Sequence, residues 1–269
     1  PDLAPDQPMT LIVADYEQLE MRIMAHFSGD PTMIDAIKRG LDLHCRTAEL
    51  AGGLDYDMLV AAKKADNPTP AEQALVDQRS GFKAVGFGLL YGIGAVKLGR
   101  QLGLPISEST DRRGRTWEKC PEASLLIDQY FEVYPQAYDF IRDTKTFCHN
   151  EQYVQTFTGR FRRLPDILSH YKGISKMAER QSVNSIIQGT AADITNEAML
   201  KCEYDHTLRK LGVRMLLQIH DELVFEVPNI PKYINAAKKR IKILMEDPFK
   251  MLVPIAVSMD QADSWGDAK

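Results

Sequence analysis

Two acidic residues at the ends of apolar, strand-forming runs constrain the fold of this chain more than any other feature of its sequence. Asp15 ends the run at residues 11–14, and Asp221 follows the run at residues 213–219. A buried strand that stops on a carboxylate presents that charge at a fixed point on a sheet edge, where it can bind a hard cation. Two such strands side by side would form a two-metal site for displacement at phosphorus. Taken singly, each Asp is more often a turn residue or a helix N-cap.

The segment around Asp221 has the pattern of a β-hairpin with an unusual tip. Residues 213–219 and 223–227 are rich in strand-forming side chains, and the tip between them carries His220, Asp221 and Glu222. This tip lacks the Gly or Asn that a tight hairpin turn prefers. A charged tip without turn chemistry favours a functional interpretation of Asp221.

The composition is that of an ordinary globular protein and argues against a zinc-binding, a disulfide-rich or a membrane-spanning protein. Of 269 residues, 44% are hydrophobic and 26% are charged, which is enough for a sizeable core or two subdomains. The four cysteines form no CxxC pair, so a reducing compartment is expected rather than a zinc site or a disulfide framework. No apolar stretch is long enough to span a bilayer, and no signal peptide opens the chain, so no membrane partner is expected.

Positive charge is concentrated in the middle third of the chain, although the net charge of −4 gives no global signal for nucleic acid binding. The basic clusters lie at residues 112–115, 160–163 and 172–180. A basic groove facing an acidic metal site is what an enzyme that processes a polyanion needs. For residues 112–115 we prefer the interpretation of a solvated helix face.

The order of predicted elements is strand, many helices, hairpin, helix and strand. Strands are expected at residues 9–15 and 254–259, hairpins at 153–164 and 213–227, and a polar surface excursion at 54–70. Helices are expected at 16–28, from 31, at 44–51, from a Thr69 cap to 91, at 124–150 with a kink at Pro135, at 174–211 and at 231–245. This order predicts an α+β fold in which an antiparallel sheet is backed by helices and carries a mostly helical insertion.

The helix that ends near Tyr91 has an unusual surface. Arg79, Lys83, Phe87 and Tyr91 are each four residues apart and therefore share one face. A stripe of two cations and two aromatic rings is poor core design. It suits a nucleotide, because the cations can reach phosphates while the rings pack against the sugar and the base.

Five segments resemble, in order, the signatures of family A DNA polymerases of the bacterial polymerase I type. Residues 15–22 resemble the first signature, residues 79–92 the fingers-helix signature and residues 218–223 the third. Residues 180–193 are similar to the palm helix that touches the primer–template, and Ser264-Trp265-Gly266 resembles the C-terminal end. The likeness covers nearly the whole chain, and five matches in order are hard to attribute to chance.

The resemblance implies a right-hand polymerase fold that lacks its thumb. The palm would comprise residues 1–40 and 146–269, and the fingers residues 41–145. The expected function is DNA-templated addition of deoxynucleotides to a primer 3′ end with release of pyrophosphate. Primer–template DNA and deoxynucleoside triphosphates are the expected partners, two Mg²⁺ ions the cofactors, and the cytoplasm of a bacterium or of a phage-infected host cell the location.

The resemblance also assigns roles to individual residues. Two Mg²⁺ ions would be held by Asp15, Asp221 and the backbone carbonyl of Tyr16, one lowering the pKa of the primer 3′-hydroxyl and the other binding the triphosphate. Glu222 would tune this cluster, and Lys83 would protonate the departing pyrophosphate. The remaining assignments are, for the nucleotide, Arg79, Lys83, Phe87, Tyr91, Glu20, His44, Gln18 and Tyr16, and for the DNA, Arg180, Asn184, Gln188, His220 and Arg160.

Two of these roles have ordinary structural alternatives. Glu20, with Tyr91, resembles a steric gate that collides with a ribose 2′-hydroxyl, but by itself it is typical of a helix-surface acid. His44 is implied as a phosphate contact, but a lone helical His is more often a partly buried structural residue.

Arg180, Asn184 and Gln188 repeat the fourfold spacing and could read acceptors in the DNA minor groove.

The chain departs from the family pattern in ways that keep alternatives open. Glu17 stands where the family often has Ser, and no thumb precedes the first signature, so a missing N-terminal region or a second chain is expected to supply one. One alternative is a catalytically lapsed DNA-binding or assembly subunit of a polymerase complex, which the retained Asp15 and Asp221 disfavour. Another is a nuclease, which the nucleotide-binding stripe disfavours.

Overall fold

The computed structural model describes residues 7–268, and its elements follow the predicted order. The helices are α1 (Leu19–Ser28), α2 (Pro31–Lys38), α3 (Leu43–Gly52), α4 (Tyr56–Lys64), α5 (Pro70–Leu90), α6 (Ala95–Gln101), α7 (Pro121–Val133), α8 (Pro135–Glu151), α9 (Lys172–Tyr204), α10 (His206–Lys210) and α11 (Pro231–Glu246). The strands are β1 (Met9–Tyr16), β2 (Ser107–Thr110), β3 (Thr116–Lys119), β4 (Tyr153–Gln155), β5 (Phe161–Arg163), β6 (Arg214–Ile219), β7 (Glu222–Pro228) and β8 (Val257–Ala262). The α+β prediction is confirmed. Residues 1–6, the start of the first predicted palm segment, lie outside the described residues.

The chain divides into two units that interleave in sequence. The first, called here the sheet unit, takes in residues up to 23, residues 156–160 and residues from 188 onwards. The second, called the helical unit, takes in residues 24–155 and 161–187. The predicted palm and fingers boundaries remain a prediction. Among the described residues, no helix combines the length and the apolar character needed to cross a membrane.

The sheet unit is organised around four antiparallel strands in the order β6-β7-β1-β8. β1 and β7 occupy the centre because their side chains are mostly buried, whereas the edge strand β6 is largely exposed. Helix α11 covers one face through Ile234, Ala237, Ile241 and Met245, which recur at helical spacing and are buried. The Tyr16 hydroxyl donates to the Met245 carbonyl at 3.0 Å, which joins β1 to that helix.

The helical unit contains two hydrophobic clusters. One brings α3, α4 and α5 together through Cys45, Ala48, Leu59 and Phe82. The other joins α8, α9 and the β4–β5 hairpin through six buried residues, Cys148, Val154, Leu164, Ile167, Ala178 and Ile186. Helix α5 begins as predicted: Thr69 and Glu72 form a capping box, in which each side chain accepts from the other residue's backbone N–H.

Several predicted elements are wrong in their boundaries or their type. The polar excursion at residues 54–70 contains helix α4, which Asp55 caps and which buries Leu59 and Ala62. The single helix expected to reach residue 211 ends at Tyr204, because Asp205 caps α10 and is fixed there by Arg240 at 2.6 Å. The last strand begins at Val257 rather than at residue 254.

Two further elements differ from the prediction. Pro135 starts α8 instead of kinking a longer helix, since the residue before a proline is disfavoured in the helical region. The basic residues 112–115 do not lie on a helix. They belong to the turn between β2 and β3, which form an exposed hairpin.

Candidate functional site

The register of the main sheet places the predicted acidic residues next to one another in the sheet unit. Asp15 of β1 lies opposite Glu222 of β7, and the Tyr16 N–H donates to the Asp221 carbonyl at 3.3 Å. Asp15 and Asp221 are half-buried, while Glu222 is buried. Backbone pairing between two central strands therefore fixes three carboxylates at one end of the sheet.

The turn that carries Asp221 has a left-handed residue at its tip. His220 adopts a φ of 56°, a conformation that is uncommon for a residue with a side chain and costs of order 1–3 kcal/mol. The Gln218 side-chain amide donates to the His220 carbonyl at 2.6 Å and supports the turn. The His side chain itself is exposed. The left-handed conformation of His220 beside Asp221 agrees with the prediction that this turn has a functional role.

Glu222 is held by a residue whose role the sequence did not predict. Trp265 donates its indole N–H to the Glu222 carboxylate, with an Nε1–Oε1 distance of 2.8 Å. From its sequence alone, the Ser264-Trp265-Gly266 segment only resembles the C-terminal end of the family. The structure gives it a positioning role, because the indole orients the carboxylate that flanks Asp221.

The extra acid at Glu17 has a local counter-charge. Arg22 donates to the Glu17 carbonyl and to the Pro254 carbonyl, each at 2.7 Å, and its guanidinium lies 3.9 Å from the Glu17 carboxylate. Burial lowers the pKa of Arg22, and the neighbouring Glu17 opposes that shift. Arg22 thus offsets part of the negative charge that Glu17 adds beside Asp15.

Tyr16 and Gln18 follow Asp15 and contribute to the site in different ways. The Tyr16 ring is buried, and that burial raises the pKa of its phenol well above the usual value. Only the backbone of Tyr16 is therefore available as a ligand, which is the role the resemblance assigned to it. Gln18 has a left-handed backbone with a φ of 51° and is half-buried.

Three predicted DNA and nucleotide residues, Glu20, Gln188 and Arg160, make side-chain contacts in the sheet unit. The Gln188 amide donates to the Glu20 carboxylate. Arg160 pairs with Asp193 and also donates to the Gly189 carbonyl, with both distances at 2.8 Å, yet more than half of its side chain is exposed. Its guanidinium is thus anchored and still accessible to a ligand.

The α5 stripe of the helical unit has one buried and two exposed members besides Phe87. Arg79 is buried, Lys83 is exposed and its ammonium lies 5.9 Å from the centre of the Phe87 ring, and Tyr91 follows the helix as an exposed cap. This ammonium–ring contact is a cation–π arrangement. The stripe presents one free cation and two rings along a single face.

A carboxylate that the sequence analysis missed organises the phosphate-binding candidates. Asp42 accepts from Arg79 Nη2 at 2.6 Å and from Lys63 Nζ at 2.9 Å, both through Oδ2. Its Oδ1 caps α3 by accepting from the backbone N–H groups of His44 and Cys45. Although its partial burial acts in the opposite direction, these hydrogen bonds together hold the pKa of Asp42 well below its usual range. One side chain therefore positions both Arg79 and the start of the helix that carries His44.

His44 is buried beside the stripe and keeps one unused polar atom. Its ring lies 5.4 Å from the Phe87 ring, and its Nε2 has no hydrogen-bond partner among residues 7–268. Burial lowers the pKa of His44 to about 4, assisted by the neighbouring cations and opposed by Asp42. The imidazole is thus neutral at pH 7 and can donate one hydrogen bond without adding charge.

An open cleft of 760 Å³ follows the exposed edge of the stripe within the helical unit. Its lining includes Lys83, Phe87, Tyr91, Lys97, Gln101 and Arg180. Gly92 permits this shape, since its φ is +66° and an added Cβ would lie 2.4 Å from the Arg180 side chain. The volume is in the range of pockets for ligands of nucleotide size.

The other predicted DNA contacts in the helical unit lie on α9. Arg180 is exposed, while Asn184 is half-buried and its Oδ1 has no hydrogen-bond partner in the described part of the chain. Gln188, one turn further on, belongs to the sheet unit. The predicted residues are therefore divided between the two units. The sheet unit holds the carboxylates Asp15, Asp221 and Glu222, called here the acidic set, together with Glu20, Arg160 and Gln188. The helical unit holds the cationic and aromatic set of Arg79, Lys83, Phe87 and Tyr91, together with His44.

Comparisons with known proteins identify the family of this chain. The model of DNA polymerase family A matches residues 3–267. DNA polymerase I of Deinococcus radiodurans is 37% identical over 263 residues, which is 97% of this chain and 24% of that protein. The thermostable DNA polymerase I of Thermus filiformis is 35% identical over 261 residues, which is 96% of this chain and 27% of that protein.

A solved structure of a polymerase domain also matches this chain. The polymerase domain of Pol1 from M. smegmatis, in complex with DNA primer-template and dNTP, matches with a TM-score of 0.81 and 32% identity over 99% of this chain and 41% of that chain. The present chain spans about a quarter of the length of the curated relatives named above. In each relative the matched region is part of one longer chain, and none of these comparisons supports a separate chain that carries a thumb.

Proposed function

Because the chain belongs to DNA polymerase family A, we propose that it forms the catalytic portion of a DNA-templated DNA polymerase. The reaction adds a deoxynucleotide to a primer 3′ end. The 3′-oxygen bonds to the α-phosphorus, the bond from that phosphorus to the leaving oxygen breaks, and pyrophosphate departs. The hydroxyl proton passes to solvent. The observation that carries the proposal is the β1–β7 register, which pairs Asp15 with Glu222, together with the hydrogen bond from the Tyr16 N–H to the carbonyl of Asp221 in the adjoining turn.

The acidic set fits Mg²⁺ in the sheet unit. Mg²⁺ in nucleotide enzymes is typically bound by one or two carboxylates together with substrate phosphates and waters. Asp15, Asp221 and the Tyr16 carbonyl would supply the protein ligands. Residues 7–268 contain no group of three or more His, Cys, Asp or Glu side chains arranged to hold a metal ion, so phosphates and waters would have to complete the coordination. When bound, two such ions would activate the 3′-hydroxyl and stabilise the pyrophosphate. Glu222, fixed by Trp265, would orient the polar surroundings of Asp221.

The cationic and aromatic set would bind the incoming deoxynucleoside triphosphate. Arg79 and Lys83 offer positive charge to its phosphates, and neutral His44 offers the unused Nε2 as a donor. Lys83 would also donate the proton that the departing pyrophosphate takes. Phe87 and Tyr91 would pack against the sugar and the base. Because Asp42 already fixes Arg79, part of the cost of ordering this side chain is met before the nucleotide binds.

Selection of the sugar and recognition of the duplex would use the remaining residues. Glu20, tied to Gln188 in the sheet unit, and Tyr91 in the helical unit are each assigned to the rejection of a ribose 2′-hydroxyl, and Gln18 is assigned to the nucleotide. Arg180, Asn184 and Gln188 would read minor-groove acceptors at each base pair. His220 is assigned to the primer terminus and Arg160 to the template backbone.

Primer extension and DNA binding, measured together, test this proposal. Asp221→Asn keeps the size of the side chain and removes its charge, so extension with Mg²⁺ should fall by on the order of 10³-fold while primer–template affinity stays close to that of the wild type. Asp260→Asn is the matched control, because Asp260 is an exposed acid of the same sheet, opposite Val13 on β8.

Each other outcome counts against the proposal. Wild-type protein that binds primer–template but never extends it would support the lapsed-subunit alternative. Extension by Asp221→Asn at the wild-type rate would remove Asp221 from the metal site. Degradation of the primer in place of extension would support the nuclease alternative.

A further inference from the structure

The β2–β3 hairpin is an exposed feature of the helical unit that the proposed catalytic site does not use. Ser107 pairs with Lys119, Glu108 with Glu118, Ser109 with Trp117 and Thr110 with Thr116. Every residue of β3 is exposed, including half of the large Trp117 surface. Half of the indole surface is therefore open to solvent and available to a ligand.

The two faces of this hairpin carry different chemistry, because side chains alternate along a strand. One face carries Glu108 and Glu118 opposite each other, and Arg100 of α6 forms an ion pair with Glu118. The other face carries Trp117 and Lys119. The acids are thus confined to the face that is tied to α6, and the opposite face combines an aromatic ring with a cation.

The turn adds free positive charge at the end of the hairpin. Asp111 folds it by accepting from the backbone N–H groups of Arg113 and Arg115, at 2.8 and 3.0 Å, and it also pairs with the Arg115 side chain at 2.7 Å. Arg112 and Arg113 have no acidic partner within the described part of the chain. The Asp111 carboxylate is therefore occupied within the turn, while the exposed Arg112 and Arg113 make no ion pair in the described part of the chain and are available to an anion.

We propose that this hairpin is a binding surface for single-stranded DNA, with a base stacked on Trp117 and backbone phosphates on Lys119, Arg112 and Arg113. Sites for single strands combine a cationic track with aromatic rings on which bases stack. Alternate residues of a strand are roughly 7 Å apart, which allows the ring and Lys119 to contact one nucleotide and its neighbouring phosphate. A duplex fits less well, since its bases are already stacked on one another.

The proposal can fail or hold independently of catalysis, because it is tested by binding without nucleotide or Mg²⁺. The measurement is the Kd of a fluorescent oligo-dT strand, titrated at several salt concentrations, beside a blunt duplex of the same length. Trp117→Ala should weaken single-strand binding by about 5- to 150-fold, the range for loss of one stacked base. Trp117→Phe, which retains a ring, should recover most of that loss.

Charge removal gives a second, quantitative readout. Arg112→Gln with Arg113→Gln should reduce the slope of log K against log salt by about 1.4, since each phosphate contact on a single strand contributes about 0.7. Lys232→Gln with Lys239→Gln on α11 removes the same charge from exposed positions outside the hairpin and should leave the slope unchanged.

Three results would overturn the proposal. Single-strand affinity could be unchanged in the hairpin variants, or the α11 control could lose as much affinity as they do. Duplex affinity could fall as much as single-strand affinity, which would make the partner a duplex backbone. Loss of activity in Asp221→Asn has no bearing on these measurements, so the two proposals are separable.

Discussion

The acidic set of the sheet unit and the α5 stripe of the helical unit are positioned by different interactions. Backbone pairing between the central strands β1 and β7 sets Asp15 opposite Glu222, and the adjoining turn carries Asp221, whose carbonyl accepts from the Tyr16 N–H. Arg79 has one charged partner, the Asp42 carboxylate at 2.6 Å, and also donates to the Cys45 sulfur at 3.2 Å. A charge removed from the first region should therefore affect chemistry and leave geometry intact, whereas in the helical unit one removed charge should disturb its neighbours.

Lys83→Ala gives the largest effect expected in the helical unit. Lys83 is exposed and makes no ion pair in the described chain, so its loss should leave the fold intact. Removing a cation that stabilises charge in the transition state should lower kcat/KM for a deoxynucleotide by about 10²- to 10³-fold. Lys64→Ala, an exposed cation at the end of α4, is the matched control in the same single-nucleotide assay. Equal activity of Lys83→Ala and Lys64→Ala would mean that the α5 stripe does not bind the phosphates.

Asp42→Asn tests whether Asp42 contributes indirectly, by positioning Arg79 for the nucleotide. Asn caps a helix as well as Asp does, so α3 should persist while Arg79 loses its charged partner. The expected result is a rise in KM for the deoxynucleotide of roughly 30- to 100-fold with a smaller change in kcat.

Lys63→Gln is the control for that variant. Lys63 shares the same carboxylate oxygen of Asp42, but about half of its side chain is exposed. An exposed ion pair of this kind contributes about 0.2–1 kcal/mol, so KM should change by less than fivefold. A larger effect of Lys63→Gln than of Asp42→Asn would contradict the role given to Asp42.

The smallest of these effects is a dependence of stability on pH that originates at His44. Burial lowers its pKa to about 4 in the folded protein from 6.5, so the unfolded chain binds more protons between these values. Stability is therefore fully present above pH 6.5 and declines as the pH falls towards 4. The loss between pH 7.5 and pH 5 should be about 2 kcal/mol.

Urea unfolding of His44→Gln checks this value, with the exposed His170→Gln as control. The His44 variant should lose less stability on acidification than the wild type does, and His170→Gln should behave like the wild type. An identical pH dependence in all three proteins would mean that His44 is not held neutral in the folded state.

The sequence predicted those features of the site that a single element encodes. The apolar run that ends at Asp15, the fourfold spacing from Arg79 to Tyr91 and the helix cap at Thr69 are all local patterns. Each is fixed by helix or strand geometry and therefore visible without tertiary contacts. The α+β architecture followed from the order of such elements.

Tertiary partners could not be predicted in the same way. Asp42 reaches Arg79 across 37 positions, and Trp265 reaches Glu222 across 43, so no periodic pattern connects them. Helix α4 was missed because only Leu59 and Ala62 are buried on it, too few for a clear apolar stripe. The β2–β3 hairpin was missed for a related reason: with both faces exposed, it lacks the alternation of apolar and polar residues that marks a half-buried strand.

Direct measurement of metal binding tests the central claim that Asp15 and Asp221 form one divalent cation site. Mn²⁺ binding to the protein with a deoxynucleoside triphosphate present would be followed by electron paramagnetic resonance, for the wild type, Asp15→Asn, Asp221→Asn and Asp260→Asn. We expect wild-type affinity in Asp260→Asn and a loss of on the order of 10-fold or more in each of the other two variants. Unchanged Mn²⁺ affinity in both Asp15→Asn and Asp221→Asn would contradict the account.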